Sequence, residues 1–257
     1  MIKNFIHAVQ FLTIFTIKKD HKVEEGDLAK SLVYFPVVGF MIGLILVFAD
    51  QVFSWITLPH TIANALLLLI SVLVTGALHI DGLADTFDGI MGGHDRATRL
   101  AIMKDSRIGT AGVLGIVFAL LLKYLCFNSL DLFGAEKNAA LLTMPILSRW
   151  SQTLMVYRAD YSREQGLGKA FVGHLRSSGL AAVSAVAIGL TAWVLVRDLR
   201  TAILALAAVI GTVIFTELGK SYMVRKIGGV TGDVIGAVTE MNEVLVLLVF
   251  VVLVSGG

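Results

Sequence analysis

The sequence contains little charge and very little cysteine or proline. Only 16% of its 257 residues are charged, against about 25% in an average soluble protein, whereas 56% are hydrophobic. These proportions exclude a soluble globular domain, a disordered chain and a coiled coil. The single cysteine, Cys126, excludes an intramolecular disulfide scaffold. The net charge of +2 gives no basis for nucleic-acid binding, so we expect no nucleic-acid partner.

Long apolar runs alternate with polar connections along the chain. A helix that crosses a bilayer needs roughly 17–25 mostly apolar residues. Six stretches reach that length, and a seventh does so if it extends back through Asp233. They are Leu32–Phe53, Thr61–Leu78, Ile108–Leu130, Ala139–Tyr157, Leu180–Val196, Thr201–Leu218 and, as the seventh, Val244–Val254. We therefore predict an all-α, polytopic integral membrane helical bundle with about 6–7 transmembrane helices, forming a single domain over residues 1–257.

The N-terminal segment differs from these runs in its length. Phe5–Ile17 is apolar over only about 13 residues, which is too short for a span and typical of interfacial pieces. We predict a short N-terminal helix that lies at the membrane surface.

Basic residues are distributed unequally between alternate connections. Fifteen lie on one set and three on the other; the first set is Lys18, Lys19, Lys22, Lys30, Arg96, Arg99, Lys104, Arg107, Arg158, Arg163, Lys169, Arg176, Lys220, Arg225 and Lys226, and the second is Lys137, Arg197 and Arg200. The side richer in lysine and arginine normally faces the cytoplasm. This asymmetry predicts a multi-pass protein whose polar, chemistry-bearing segments face the cytoplasm and whose C-terminus lies outside.

An acidic cluster follows the second apolar run. Asp81, Asp85 and Asp88 are spaced i, i+4 and i+7, which places the three carboxylates within roughly 60° of arc on one helical face. Converging carboxylates repel one another unless a cation lies among them, and Mg²⁺ is the usual cation beside phosphates. We predict a metal site here, with solvated acids at a helix end as the alternative. His79 is better interpreted as a hydrogen-bonding residue than as a ligand.

Basic side chains near this cluster are candidates for holding phosphate. Lys104 and Arg107 are one helical turn apart and can face one phosphate group, although a membrane anchor beside a small-residue packing face is an equal alternative. Arg149 lies within an apolar run and is a substrate-binding candidate, or else a structural partner of Glu217. Lys123 is expected to snorkel outward.

Two further polar segments lie on the same predicted side. The loop from Arg158 to Lys169 contains glycine and suits an anionic ligand, or is simply solvated. The segment Gly228–Glu243 places Asp233 and Glu240 on one helical face. This second acidic face is predicted to complete the metal site or to supply a general base, with solvated acids as the alternative.

Four motifs resemble those of the cobalamin synthases, the adenosylcobinamide-GDP ribazoletransferases. They are HIDGLADTFDG (His79–Gly89), IMKDSRIGTAG (Ile102–Gly112), YRADYSREQGLGKAF (Tyr157–Phe171) and GGVTGDVIGAVTEMNE (Gly228–Glu243), in the order of that family. One departure is Thr13-Ile14-Phe15-Thr16, where the family often has Thr-Arg-x-Pro.

The resemblance implies a magnesium-dependent enzyme of the cell inner membrane. It would join adenosylcobinamide-GDP to α-ribazole, or to α-ribazole 5′-phosphate, with release of GMP. The implied roles are Mg²⁺ binding by Asp81, Asp85 and Asp88, phosphate binding by Lys104, Arg107 and Arg158, and proton acceptance by Asp233 or Glu240.

Three questions stay open at this point. A CDP-alcohol phosphotransferase shares Asp81-Gly82 but has Ala and Arg where this chain has Asp85 and Thr86. A cation-coupled transporter would use Arg149 and Glu217, yet no pair of matching broken spans indicates two repeats. A homo-oligomer, or association with other corrinoid-handling enzymes, is the third open question.

Overall fold

The computed structural model describes residues 2–17 and 26–255, and this part of the chain is almost entirely helical. The helices are α1 (Ile2–Leu12), α2 (Asp27–Ser31), α3 (Phe35–Trp55), α4 (His60–Val74), α5 (Leu78–Gly92), α6 (Arg96–Ile102), α7 (Thr110–Leu130), α8 (Gly134–Val156), α9 (Ser177–Leu195), α10 (Leu199–Ile227) and α11 (Gly232–Ser255). Strand-type pairing among these residues is confined to one bridge between Tyr161 and Val230. The predicted all-α class is confirmed. Lys18, Lys19, Lys22 and the C-terminal Gly257 lie outside the described residues.

Within the described residues, five helical segments are long and apolar enough to cross a membrane. They are Leu28–Trp55, Thr110–Leu130, Ser177–Leu195, Leu199–Ile227 and Gly232–Val254. A sixth is formed if α4 and α5 are counted together, although they are bent by 87° relative to each other. A polytopic membrane bundle is therefore confirmed, and the predicted extension of the last span back to Asp233 is correct.

The second predicted span, Thr61–Leu78, is wrong at its C-terminal end. Helix α4 ends at Val74, and the chain turns at Gly76 and Ala77, whose φ angles are +59° and +58°. Glycine adopts such a conformation without steric cost, and its presence in an apolar run indicates a break. The chain changes direction by 87° here, and α5, which carries the acidic cluster, packs against α7 and α11.

Helix α8 corresponds to the predicted span Ala139–Tyr157, but its mean hydropathy is too low to identify it as a membrane span. Its residues from Ala139 to Val156 are buried with the single exception of Leu142. A helix surrounded by other helices does not contact lipid, so its surface need not be apolar. Its two ends contact opposite ends of the bundle, through Lys137 at one and Gln152 at the other.

Contacts near the ends of the helices show which connections lie at the same end of the bundle. At one end, Lys137 Nζ lies 2.7 Å from the Asp50 carboxylate and 2.6 Å from that of Asp131. At the other end, Arg96 donates to the Ser162 carbonyl at 3.3 Å, and Arg99 donates to the Lys226 carbonyl at 3.1 Å. The segments predicted to be cytoplasmic therefore lie together.

The N-terminal helix α1 ends at Leu12, five residues before the predicted Ile17. Its 11 residues are too few to cross a bilayer. Ala8, Val9 and Leu12 are buried against the bundle. This helix covers the end of the bundle at which the acidic segments lie, because Phe11 lines the same cavity as Asp81 and Asp233.

Candidate active site

Helices α5 and α11 pack backbone to backbone where the two acidic motifs meet. A Cβ atom on Gly82 would lie 2.7 Å from the carbonyl oxygen of Asp233, and one on Gly236 would lie 3.3 Å from Cα of His79. Only glycine allows helices to approach this closely. The sequence left open whether the two acidic faces meet, and these contacts bring them together.

The crossing borders a cavity of about 170 Å³ that both motifs line. Asp81 comes from α5 and Asp233 from the first turn of α11, and Arg163 enters from the loop between α8 and α9. Arg163 Nη2 lies 2.7 Å from Oδ2 of Asp233. The Nε of Arg163 is buried without a hydrogen-bond partner among the described residues. The cavity therefore combines two carboxylates with a guanidinium that retains donor capacity for an anionic oxygen.

Arg163 is the functional candidate that the sequence analysis did not single out. The loop that carries it is fixed against the start of α11: Ser162 donates from its backbone N–H to the Val230 carbonyl at 2.9 Å, and Val230 donates to the Asp160 carbonyl at 2.8 Å. The sequence signal for Arg163 was its place in the polar, glycine-containing loop from Arg158 to Lys169. Within the same loop, burial raises the pKa of the Tyr161 phenol, which is therefore a neutral hydroxyl at neutral pH.

A second, open groove of about 390 Å³ lies on the other side of Asp81. Asp81, Asp85, Lys104 and Arg107 line it, so two predicted metal ligands and both predicted phosphate-binding residues of this segment lie together. Arg107 also pairs with Asp105 at 2.6 Å, and this charge-assisted hydrogen bond lowers the pKa of the Asp105 carboxyl to about 2. The groove thus presents anionic and cationic groups side by side.

Asp88 has a different environment from the other two acids of its motif. Its Oδ2 accepts the Gly109 N–H at 2.7 Å, and its Oδ1 accepts the Gly112 N–H at 2.8 Å. The carboxylate therefore satisfies N–H groups at the N-terminus of α7 and interacts favourably with its helix dipole. Its part in metal binding stays a prediction.

The acidic residues do not form a cage by themselves. Among residues 2–17 and 26–255, no three His, Cys, Asp or Glu side chains form a group that could hold a metal ion. Mg²⁺ is commonly bound by one or two carboxylates that share it with substrate phosphates. The pair Asp81 and Asp85, beside two cationic side chains, fits that kind of site.

Glu240 lies away from the cavity, in a network of charges buried in the bundle. Lys123 Nζ is 2.5 Å from Glu240 and 2.5 Å from Glu243, and Arg149 donates to Glu243 and, at 2.8 Å, to Ser148. Two cations and two carboxylates balance one another, which is the condition under which buried charges persist. The role of Glu240 as a base stays a prediction, but neither the cavity nor the groove includes it among the described residues.

Two expectations about buried charges are wrong. Arg149 does not pair with Glu217, which contacts Lys220 at 2.7 Å instead. Lys123 does not extend outward, since its side chain is only 1% exposed and is held by two carboxylates. The positions and spacing identified the charges, but sequence alone does not give the partner of a charge that lies on another helix.

Arg158 is the predicted phosphate-binding residue that the structure places apart. It is exposed, and its guanidinium lies 5.1 Å from the centroid of the Tyr157 ring. Neither the cavity nor the groove includes it among the described residues. Arg163, five residues further along the same loop, lines the cavity where we expected Arg158 to bind phosphate.

Comparison with known proteins places these features in a family. Residues 4–251 match the cobalamin-5-phosphate synthase family. The chain belongs to this family. It is 41% identical over 98% of both chains to the adenosylcobinamide-GDP ribazoletransferase of Geotalea daltonii. The protein of the same name from Alkaliphilus metalliredigens is 38% identical over 100% of this chain and 97% of its own length. The one from Clostridioides difficile is 36% identical over 98% of both chains.

Membership of the cobalamin-5-phosphate synthase family identifies the chain as a membrane transferase of cobalamin biosynthesis. The resemblance drawn from the four motifs is thereby confirmed, and the CDP-alcohol phosphotransferase and transporter alternatives are set aside. No solved structure matches the chain.

Proposed function

We propose that this protein joins adenosylcobinamide-GDP to α-ribazole, or to α-ribazole 5′-phosphate, and releases GMP. The products are adenosylcobalamin or its 5′-phosphate. The relatives carry the name of this reaction. The observation that supports it most directly is that Asp81 lines both the cavity and the groove. A reaction between two substrates needs one point at which two binding regions meet.

The groove suits the diphosphate of the donor. Lys104 and Arg107 provide cationic groups for phosphate oxygens, and an arginine fork matches phosphate geometry. Asp81 and Asp85 would hold Mg²⁺ together with those oxygens. The ion, when bound, neutralises the negative charge that accumulates on the departing GMP.

The cavity suits the acceptor. The 5′-oxygen of the ribazole forms a bond to the corrinoid-side phosphorus, and the bond from that phosphorus to the GMP oxygen breaks. Asp233 accepts the proton of the 5′-hydroxyl, and Arg163 holds the Asp233 carboxylate in position at 2.7 Å. Phe11 of α1 and Phe171 of the loop before α9 form part of the cavity wall.

We further propose that the protein lies in the cell inner membrane as a single domain over residues 1–257. The groove and the cavity would then face the cytoplasm, where both soluble substrates are available. The excess of basic residues at that end of the bundle supports this orientation.

Purified protein in detergent, incubated with adenosylcobinamide-GDP, α-ribazole and Mg²⁺, tests the proposal through GMP release. We expect GMP only when both substrates and the ion are present. The Asp81→Asn variant should lose activity by at least about 100-fold, because it alters both binding regions. GMP release without α-ribazole would instead indicate a hydrolase.

A further inference from the structure

The cavity beside Asp81 has an aromatic wall that the chemistry of the diphosphate does not require. Phe11, Phe35 and Phe171 come from three separate segments and all line it. The ring centroid of Phe171 lies 4.8 Å from that of Phe11 and 5.7 Å from that of Phe35. Such a contiguous aromatic surface is suited to a flat aromatic ligand, because offset and edge-to-face ring contacts are favourable at these distances.

His79 adds a polar group to the lining of this cavity, apart from the charged Asp81, Arg163 and Asp233. It lines the cavity and is 3% exposed. Gln152 Nε2 lies 2.9 Å from its Nε2, and with the amide in this orientation its nitrogen donates and His79 Nε2 accepts. The proton of the neutral ring is then on Nδ1. That Nδ1 is buried and has no hydrogen-bond partner among the described residues.

A buried donor without a partner is costly, so it indicates that a ligand supplies the acceptor. We propose that this cavity binds the benzimidazole base of the acceptor nucleoside, with the three phenylalanines against the ring and His79 Nδ1–H donating to its free ring nitrogen. This assignment rests on the proposed function, since it names which substrate occupies which region.

The chemistry of the two candidate bases decides between them. A benzimidazole riboside has one ring nitrogen left as an acceptor and no ring donor, which matches the unpaired Nδ1–H of His79. The guanine of the donor has several donors and acceptors along its edges, and phenylalanine rings would leave them unpaired, since we assign the charged residues of the cavity to the metal and to the 5′-hydroxyl. A corrin ring is far larger than this cavity of about 170 Å³.

The first test uses the unaltered protein in detergent without the corrinoid donor. Binding of the α-riboside of dimethylbenzimidazole is compared by calorimetry with binding of the matching indole riboside, in which carbon replaces the acceptor nitrogen. We expect the indole compound to bind about tenfold more weakly, as for loss of one buried hydrogen bond. Equal binding of the two compounds would overturn the role of His79.

The second test uses variants. Phe171→Leu should raise the KM for α-ribazole about fivefold and leave the KM for adenosylcobinamide-GDP unchanged. Phe40→Leu is the matched control, since Phe40 contacts Trp193 at 5.8 Å and does not line the cavity. His79→Asn should remove the preference for benzimidazole over indole. A raised donor KM with an unchanged acceptor KM in Phe171→Leu would assign guanine to the cavity and overturn the proposal.

These outcomes test the proposed reaction and the proposed base site separately. Absence of GMP release from the unaltered protein would overturn the proposed function. Selective binding of the benzimidazole riboside in the absence of donor would still support the base site, and loss of that selectivity would overturn the base site even if GMP were released.

Discussion

The backbone of Gly82 lies so close to that of Asp233 that a methyl group on Gly82 would sit 2.7 Å from the Asp233 carbonyl oxygen. This contact fixes the separation between the two helices that carry the acidic motifs. The relative positions of Asp81 and Asp233 therefore depend on a residue that has no chemistry of its own. A small displacement at this crossing changes the geometry of both binding regions at once.

Gly82→Ala should reduce GMP release by about 100-fold, because a 1 Å displacement of reacting groups has an effect of that size. Gly189→Ala is the matched control: this glycine is also within a helix, and a Cβ there meets nothing within 4 Å. We expect normal membrane insertion for both variants and normal activity for the control. Full activity of Gly82→Ala would mean that the helices can separate without consequence.

Asp85 and Asp88 should respond differently to Mg²⁺. Asp85→Asn removes a carboxylate from the groove and should raise the Mg²⁺ concentration for half-maximal activity at least about tenfold. Asp88→Asn should instead lower the free energy of unfolding by about 1 kcal/mol, because it weakens the contacts with the Gly109 and Gly112 N–H groups. Rates measured across a Mg²⁺ titration distinguish these effects. An equally raised Mg²⁺ requirement in both variants would show that Asp88 is also a ligand.

The buried network provides a test of Glu240. Lys123→Met leaves a carboxylate unpaired and should destabilise the protein by about 3 to 5 kcal/mol. In the double variant Lys123→Met/Glu240→Gln the remaining pair, Arg149 and Glu243, is balanced, so we expect stability to return. Thermal unfolding in detergent measures this recovery. The double variant should also release GMP; a stable but inactive double variant would show that Glu240 is the base.

The sequence predicted the helical class, most of the spans and the residues that line the groove, because these depend on local periodicity and composition. It did not predict the bend at Gly76 and Ala77, since a glycine within an apolar run is compatible with a continuous helix. The partner of Arg149 was also missed, because Glu217 and Glu243 are equally acidic in sequence. Packing between distant helices decides such pairs, and Arg163 was overlooked for the same reason.

The proposed orientation in the membrane rests on the basic asymmetry and can be tested with single cysteines. With the native Cys126 replaced, a cysteine at Ala97 should be protected from an impermeant thiol reagent in intact cells, and one at Leu132 should react. Both positions are exposed, Leu132 at 87%, and they lie at opposite ends of the bundle. Labelling is measured before and after permeabilisation. Reaction at Ala97 in intact cells would reverse the orientation.

Asp233 and Asp85 should fail in different ways if one is the base and the other a metal ligand. Raised Mg²⁺ should partly restore Asp85→Asn, because mass action refills a weakened site. Asp233→Asn should not respond to Mg²⁺. A base acts only when deprotonated, so activity of the unaltered enzyme should rise as the pH increases through the pKa of that group, and this rise should flatten in Asp233→Asn. Rates measured against both Mg²⁺ and pH decide the matter. Rescue of Asp233→Asn by Mg²⁺ would instead show that both helices supply one metal site, as their contact at Gly82 permits.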